Sequence, residues 1–266
     1  MAQSSNPVLA RGFGQGQQHA SWNTAPAPSA GDLDDMYNRP AYAPPARFMT
    51  LDDVVLRTAA TLGVVVVVGA VAWIADLQGL AIVGALVGFV LALIIAFKQS
   101  TNPALILSYA AAEGLFLGAI SRAFNELFGG GIVIQAVVGT MGVFAGMLVV
   151  YKTGAIRVTP KFTRWLLGAL IGVVALSLVN LIASLFTPGG LGLRDSSNPA
   201  LAIGFSLLCI GVAAFTFLLD FDMIDKGIRQ GAPERFAWYA AFGLTVTLVW
   251  LYVEIIRLLA ILRGDD

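Results

Sequence analysis

Five carboxylic acids interrupt the long apolar stretches of this sequence: Glu113, Asp220, Asp222, Asp225 and Glu254. An acidic side chain at bilayer depth costs about 3 kcal/mol on insertion scales and is by default a functional candidate. A carboxyl group in a medium of low dielectric constant is harder to ionise, and a neighbouring carboxyl group adds to that effect. When ionised, such a pair offers the hard oxygen ligands that suit Ca²⁺. These acids therefore predict proton sensing, cation binding or both.

The position of each acid along its apolar stretch indicates which of them face the interior. Glu113 lies near the middle of the third stretch. Asp220 and Asp222 are about 200° apart on a helix and must face different neighbours, whereas Asp225 is one turn from Asp222 on the same face. Asp225, beside Lys226, is interpreted as a helix end at the cytoplasmic interface. We expect one of Asp220 and Asp222 to face the interior of a helix bundle.

Each of these acids also has a structural explanation. Arg257 follows Glu254 by three residues, so the two side chains can neutralise one another on one helix. Glu113 could hydrogen-bond to a hydroxyl group of a neighbouring helix without any role in transport. Arg122 and Arg257 are the arginines in apolar stretches that could act as counter-charges.

Other kinds of chemistry find little support in the sequence. The chain has one cysteine, Cys209, and one histidine, His19, so neither a disulfide framework nor a Cys/His metal cluster can be built. No catalytic triad, zinc-protease motif or glycine-rich phosphate loop is visible. Sixteen basic residues balance sixteen acidic ones, which argues against nucleic-acid binding. We expect no enzymatic activity and no cofactor.

The segments that carry the acids are transmembrane helices by composition and length. Of the 266 residues, 58% are hydrophobic and 12% are charged, against about 45–50% and about 25% in average soluble domains. Stretches of about 20 apolar residues match the hydrocarbon core of a bilayer, and their backbone groups must be satisfied internally, as in helices. The sequence predicts an all-α, seven-helix membrane bundle over residues 49–266, with spans at 55–76, 80–97, 104–124, 131–151, 164–186, 199–222 and 236–262.

The residues before the first span have a different character. Residues 1–48 are rich in Ser, Gly, Gln, Ala and Pro and have no apolar period, which predicts a disordered cytoplasmic tail. Thr50 lies three residues before Asp53, the spacing of a capping box, so helical order is expected to begin there.

The basic residues predict the orientation. With the N-terminus in the cytoplasm, 12 of the 16 Lys and Arg residues lie on the inside, and the loop at residues 152–164 contributes four of them. We expect the C-terminus on the opposite side. Four pairs of glycines at four-residue spacing predict close helix packing within the chain, with oligomerisation as the alternative: Gly84/Gly88, Gly114/Gly118, Gly142/Gly146 and Gly168/Gly172.

Three stretches resemble the Bax inhibitor family, also called the transmembrane Bax inhibitor motif proteins, and most of all its bacterial Bax inhibitor-1/YccA-like branch. These stretches are residues 113–121 (EGLFLGAIS), 219–224 (LDFDMI) and 248–259 (LVWLYVEIIRLL). The resemblance covers residues 50–262 and implies a seven-helix bundle with one hydrophobic central helix in the bacterial inner membrane. It also implies passive, pH-sensitive conduction of Ca²⁺. As in some bacterial relatives, the alternative is a non-conducting scaffold that binds quality-control proteases or other membrane proteins.

The resemblance also implies a gate made of two acids, to which Asp222 and Glu254 correspond, and these two are the candidate Ca²⁺ ligands. The two residues are 32 positions apart, against about two dozen in the family. With a turn at residues 231–233, they would be offset by about 18 Å along the helix axis at 1.5 Å per residue. A direct pair then requires a bent sixth helix, or a cytoplasmic extension over residues 226–240. Otherwise Glu113 is the expected partner of Asp222.

Overall fold

The computed structural model describes residues 29–31, 34, 47–187, 189–193 and 198–264. The chain divides into two compact units, residues 1–46 and 47–266, and the second unit carries every long helix of the described part. The predicted disordered tail lies almost entirely outside the described residues.

The second unit contains seven helices that are long and apolar enough to cross a membrane, in agreement with the sequence prediction. The described part of this unit has no β-strand apart from one isolated bridge. A short 3₁₀ turn, Gln78–Leu80, precedes the second helix. The helices are α1 (Leu51–Ile74), α2 (Ala81–Lys98), α3 (Pro103–Phe128), α4 (Ile132–Thr153), α5 (Pro160–Ser184), α6 (Pro199–Arg229) and α7 (Phe236–Gly264).

The start of α1 confirms the predicted capping box. The Thr50 hydroxyl accepts a hydrogen bond from the Asp53 backbone N–H at 3.2 Å, and the Thr50 backbone N–H donates to the Asp53 carboxylate at 3.0 Å. The helix therefore begins at Leu51, four residues before the predicted span, because the cap satisfies the free N–H groups of its first turn.

The predicted end of the sixth span at residue 222 is wrong, because α6 continues to Arg229. Its last two turns carry Asp222–Lys226 and Asp225–Arg229 ion pairs at i,i+4 spacing, which stabilise helix beyond the apolar stretch. At 1.5 Å per residue, the 31 residues of α6 measure about 46 Å, longer than a hydrocarbon core of about 30 Å. A hydropathy limit detects only the apolar part of such a helix.

Helix α7 is the central element of the bundle. It contacts α1, α3, α4 and α6 and has the largest buried share of the seven spans, 56%. The hydrophobic central helix implied by the resemblance is therefore α7. Two contacts between pairs of hydroxyl groups join α7 to its neighbours: Thr61 to Thr245 at 3.1 Å, and Ser121 to Tyr252 at 2.6 Å.

Only two of the four glycine pairs make close helix contacts. A Cβ atom on Gly84 would lie 2.9 Å from a backbone atom of α3, and one on Gly114 would lie 2.7 Å from the Val65 carbonyl of α1. Gly118 faces the α1 backbone at Gly69 in the same way. The other two pairs, Gly142/Gly146 and Gly168/Gly172, have no neighbouring atom within 4 Å of a Cβ position.

We call the end of the bundle that carries the start of α1 and the α6–α7 loop the near end, and the opposite end the far end. At the near end, residues 47–50 run against the α6–α7 loop. Phe48 forms a β-bridge with Pro233, and the Met49 backbone N–H donates to the Ala232 carbonyl at 2.8 Å. The Arg57 guanidinium of α1 forms an ion pair with Glu234. These contacts attach α1 to the loop that orients α6 and α7.

Candidate functional site around the central helix

A vestibule of about 710 Å³ opens at the near end between the end of α2, the last turns of α6 and the first turns of α7. Gln99, Asp222, Lys226 and Gln230 contribute its polar lining. Tyr239 and Ala240 are the residues of α7 that line it furthest along that helix. The vestibule, whose lining is otherwise mostly apolar, therefore brings four polar side chains to the side of the central helix.

Asp222 lies at the wall of this vestibule, and its partner is local. One of its carboxylate oxygens lies 2.6 Å from the Lys226 ammonium one turn later on α6. The Lys226 side chain is 60% exposed and the Asp222 side chain is 20% exposed. Because the lysine is long and solvated, its side chain can rotate away from Asp222 without a rearrangement of helices.

Asp220 faces the central helix. Its Oδ2 atom accepts a hydrogen bond from the Thr247 hydroxyl at 2.8 Å, and its Oδ1 atom lies 3.8 Å from the Cβ position of Gly243. Gly243 is one turn beyond the vestibule residue Tyr239, on the same face of α7. Of the two aspartates that the sequence places on opposite faces, Asp220 is therefore the one that contacts α7.

Glu113 packs between α3 and α2. Its Oε1 atom would lie 2.8 Å from a Cβ atom on Gly88, so the glycine makes room for the carboxyl group. The Tyr109 hydroxyl, one turn earlier on α3, interacts with the same carboxyl group. The Tyr109 ring lies edge-on to Phe242 of α7, with 5.0 Å between the ring centroids. Glu113 and Asp220 thus lie on two helices that flank the same stretch of the central helix.

Glu254 is almost fully buried, at 1% exposure, and Arg257 lies beside it. The Arg257 Nη1 atom donates to both carboxylate oxygens at 3.1 Å. A buried carboxylate needs such a partner, because the loss of its hydration otherwise costs several kcal/mol. The i+3 neutralisation considered from the sequence is the arrangement found.

Among the described residues, Arg122 forms no ion pair or hydrogen bond with any of the four candidate gate acids. Its Nε atom lies 2.8 Å from Glu126 and 3.2 Å from Asp76, and its Nη1 atom donates to the Trp73 carbonyl at 2.6 Å. Arg122 is nine residues beyond Glu113 on α3, about 14 Å towards the far end. Its role in the fold is to hold the α1–α2 connection against α3.

The structure does not bring Asp222 and Glu254 together. Asp222 is seven residues before the end of α6, about 10 Å, and Glu254 is 18 residues after the start of α7, about 27 Å. The resulting offset of about 17 Å agrees with the value expected from the sequence. Helix α6 runs unbroken to Arg229, and only the six residues 230–235 separate it from the start of α7 at Phe236.

Sequence reasoning missed two residues of this site, Thr247 and Gly243. The sequence did contain a signal for Thr247, because Thr245 and Thr247 carry hydroxyl groups in an apolar helix and lie about 200° apart around its axis. In the structure they bind different helices: Thr245 contacts Thr61 of α1, and Thr247 contacts Asp220 of α6. No sequence signal identifies the contact of Asp220 with Gly243.

Asp225 lies outside this group, as expected for a residue near the helix end. One of its oxygens is 2.9 Å from Arg229, and the Tyr151 hydroxyl is 3.5 Å away. Within the described residues, no three acidic, histidine or cysteine side chains converge as a metal site.

Seven membrane-length helices, one of them central, with carboxyl groups held among them, define a multipass membrane protein with acidic residues in its bundle. The chain belongs to the Bax inhibitor 1 like family, whose model matches residues 6–264, nearly the whole chain. The resemblance inferred from the sequence is thus confirmed. A protein of Chlamydia muridarum, described only as uncharacterized, is 38% identical over 84 residues, 32% of this chain. The match spans about a third of that relative, 35% of its length.

Proposed function

We propose that this protein is a passive, pH-sensitive leak pathway for Ca²⁺ in a bacterial inner membrane, gated by the carboxyl groups around α7. The observation that carries the proposal is the position of Asp220. Asp220 holds a carboxylate against the central helix, one turn beyond the vestibule. Because an acidic side chain at this depth costs free energy, its presence there points to a function. Carboxylate oxygens are also the ligands that Ca²⁺ prefers.

The pathway runs from the vestibule past Asp222 to Asp220. Asp222 attracts the cation at the mouth, where the cation competes with the Lys226 ammonium. Asp220 and Thr247 then offer oxygen atoms on the surface of α7. Beyond this level, α7 carries the buried Glu254–Arg257 pair and the Ser121–Tyr252 contact, which join it to its own next turn and to α3. Opening requires α7 to move relative to α6 or α3.

Protons act on this pathway through the same carboxyl groups. Protonation removes the attraction of an acid for a cation or for a basic partner such as Lys226 or Arg257. The balance between closed and open states then changes only to the extent that the two states stabilise the charge differently. Asp220 and Glu113 flank α7 on two sides, so a movement of α7 would change the surroundings of these two acids most.

Reconstitution in vesicles loaded with a Ca²⁺-sensitive dye tests the proposal. We expect flux that varies between about pH 5 and pH 8, the range in which perturbed carboxyl groups titrate. Asp220→Asn should flatten this variation, and Asp222→Asn should lower the flux at all values of pH, because its charge is at the mouth. Asp225→Asn is the matched control on the same helix, since its carboxylate is paired with the exposed Arg229, and it should retain the wild-type profile.

Two results would contradict the proposal in different ways. The absence of Ca²⁺ flux at every pH would refute conduction. Flux with a wild-type pH profile in both Asp220→Asn and Glu113→Gln would refute gating by these acids while leaving conduction intact.

The competing function is a membrane scaffold that binds a quality-control protease or another membrane protein and conducts nothing. One observation favours it: Gly142 and Gly146 present an exposed small-residue face on α4 that no helix of the described chain covers. Small residues at this spacing allow close approach of a second helix in a membrane. Loss of a co-purified membrane protease in Gly146→Leu, together with the absence of flux in the wild type, would establish the scaffold.

A further inference from the structure

The α4–α5 connection carries a concentration of positive charge that the proposed function does not use. Four basic residues lie within residues 151–165, all exposed: Lys152, Arg157, Lys161 and Arg164. No Asp or Glu occurs in the chain between Glu126 and Asp195, so α4, α5 and their connection carry only basic charges. We call these four side chains the basic connection.

The other basic residues of the near end are mostly neutralised. In the described chain, Arg47 and Arg57 lie within 4 Å of Glu234, Lys226 pairs with Asp222, and Arg229 pairs with Asp225. No ion pair within the described residues includes a member of the basic connection. The near end is thus asymmetric, with its paired acids on α1, α6 and the α6–α7 loop and a group of four cations without an ion pair in the described residues on α4, α5 and their connection.

The order of side chains along the outer face of α5 matches a membrane boundary. Lys161 and Arg164 come first, Trp165 is next at 58% exposure, and Ile171 follows at 68% exposure. These residues share one helix face, because Arg164 and Trp165 follow Lys161 by three and four positions and Ile171 follows Arg164 by seven. Cations, then an indole, then aliphatic side chains correspond to the headgroup layer, the interface and the hydrocarbon. The opposite face of α5 packs on α6 through Leu166 and Val173.

The helix end itself adds to the positive potential. Thr159 caps α5 through its hydroxyl, which accepts from the Phe162 backbone N–H at 3.2 Å, and Pro160 is the first residue of the helix. The positive end of the α5 dipole therefore points into the basic connection. Exposed charges of one sign beside a membrane interface bind lipids of the opposite sign.

We propose that the basic connection binds the phosphate groups of anionic lipids in the leaflet at the near end. The lipid is chosen over a soluble anion because Lys161 and Arg164 lie on the lipid-facing side of α5, directly above Trp165 in the interfacial layer. Each basic residue near an anionic surface strengthens binding about 5-fold at moderate salt, so removal of two should weaken it about 25-fold.

The test uses the full chain in non-ionic detergent and native mass spectrometry with short-chain phosphatidylglycerol or phosphatidylcholine. We expect wild type to retain phosphatidylglycerol preferentially, and Lys161→Gln/Arg164→Gln to need about 25-fold more of it for half-saturation. The matched control is Lys98→Gln/Arg235→Gln, which removes two other near-end cations outside the basic connection and should stay within about twofold of wild type. Lys161→Arg/Arg164→Lys, which keeps the charges, should also bind like wild type.

Three outcomes would overturn the proposal. Equal retention of the two lipids by wild type would remove the preference for negative charge. Equal losses in the two glutamine variants would assign the effect to net charge and not to the basic connection. Displacement of phosphatidylglycerol by an equal concentration of inorganic phosphate would identify a site for soluble anions. None of these outcomes bears on Ca²⁺ flux, so the proposed function stands or falls separately.

Discussion

Replacement of Gly118 by alanine tests whether the contact between α1 and α3 is as close as the structure shows. A Cβ atom on Gly118 would overlap the Gly69 carbonyl oxygen and would lie 2.7 Å from the Gly69 Cα atom. Ordinary van der Waals contacts of Cβ atoms begin at 3.4 Å, so the helices must separate by at least about 0.7 Å. The neighbouring atoms belong to the backbone and cannot rotate away.

The size of the effect follows from two opposing contributions. Overpacking of a tightly packed contact costs about 1–3 kcal/mol. Alanine recovers up to about 1 kcal/mol through its higher helix propensity. We therefore expect Gly118→Ala to lower the free energy of unfolding by about 1–2 kcal/mol and the apparent Tm in detergent by about 2–8 °C. Gly118→Val should lower both further, because its two γ-methyl groups enlarge the overlap.

Gly142→Ala provides the matched control. Gly142 also lies in the middle of an apolar helix, but nothing lies within 4 Å of its Cβ position. Alanine there should leave the Tm unchanged or raise it. If the Tm of Gly118→Ala, like that of Gly142→Ala, were equal to or above the wild-type Tm, the close approach of α1 and α3 would be refuted, and so would the packing argument.

Further predictions concern orientation, a near-end ion pair and a buried hydroxyl contact. A reporter that works only outside the cytoplasm should be active when it is fused at the C-terminus, and a reporter that works only in the cytoplasm should be active when it is inserted near Lys161. The reverse result would refute the orientation inferred from basic residues. Glu234→Ala should lower the unfolding free energy by about 1–2 kcal/mol, measured by thermal unfolding, because Arg57 is 15% exposed and loses its partner at the α6–α7 loop. A melting temperature equal to that of wild type would show that this ion pair does not stabilise the fold. Tyr252→Phe should cost about 0.6–1.7 kcal/mol through the loss of its contact with Ser121, and Ser121→Ala in the same background should add little if the two hydroxyl groups act as a pair.

The amino-acid sequence by itself determines the number and placement of the transmembrane helices. Because lipid cannot satisfy backbone hydrogen bonds, each apolar stretch of sufficient length must be helical, and the stretches could be counted directly. The start of α1 was equally local, since a capping box involves only Thr50 and Asp53. The extension of α6 to Arg229 was missed because ion pairs, and not hydrophobicity, stabilise its last turns.

Only the tertiary structure decides which acid has which neighbour. Helical periodicity shows that Asp220 and Asp222 face different directions, but the rotation of α6 against α7 selects Asp220 for Thr247 and leaves Asp222 to Lys226. The same holds for the glycines: four pairs have identical spacing, yet only those on α2 and α3 lie against a neighbouring helix. Spacing along one helix defines a face, whereas contact depends on the relative rotation and depth of two helices, which packing over the whole bundle sets.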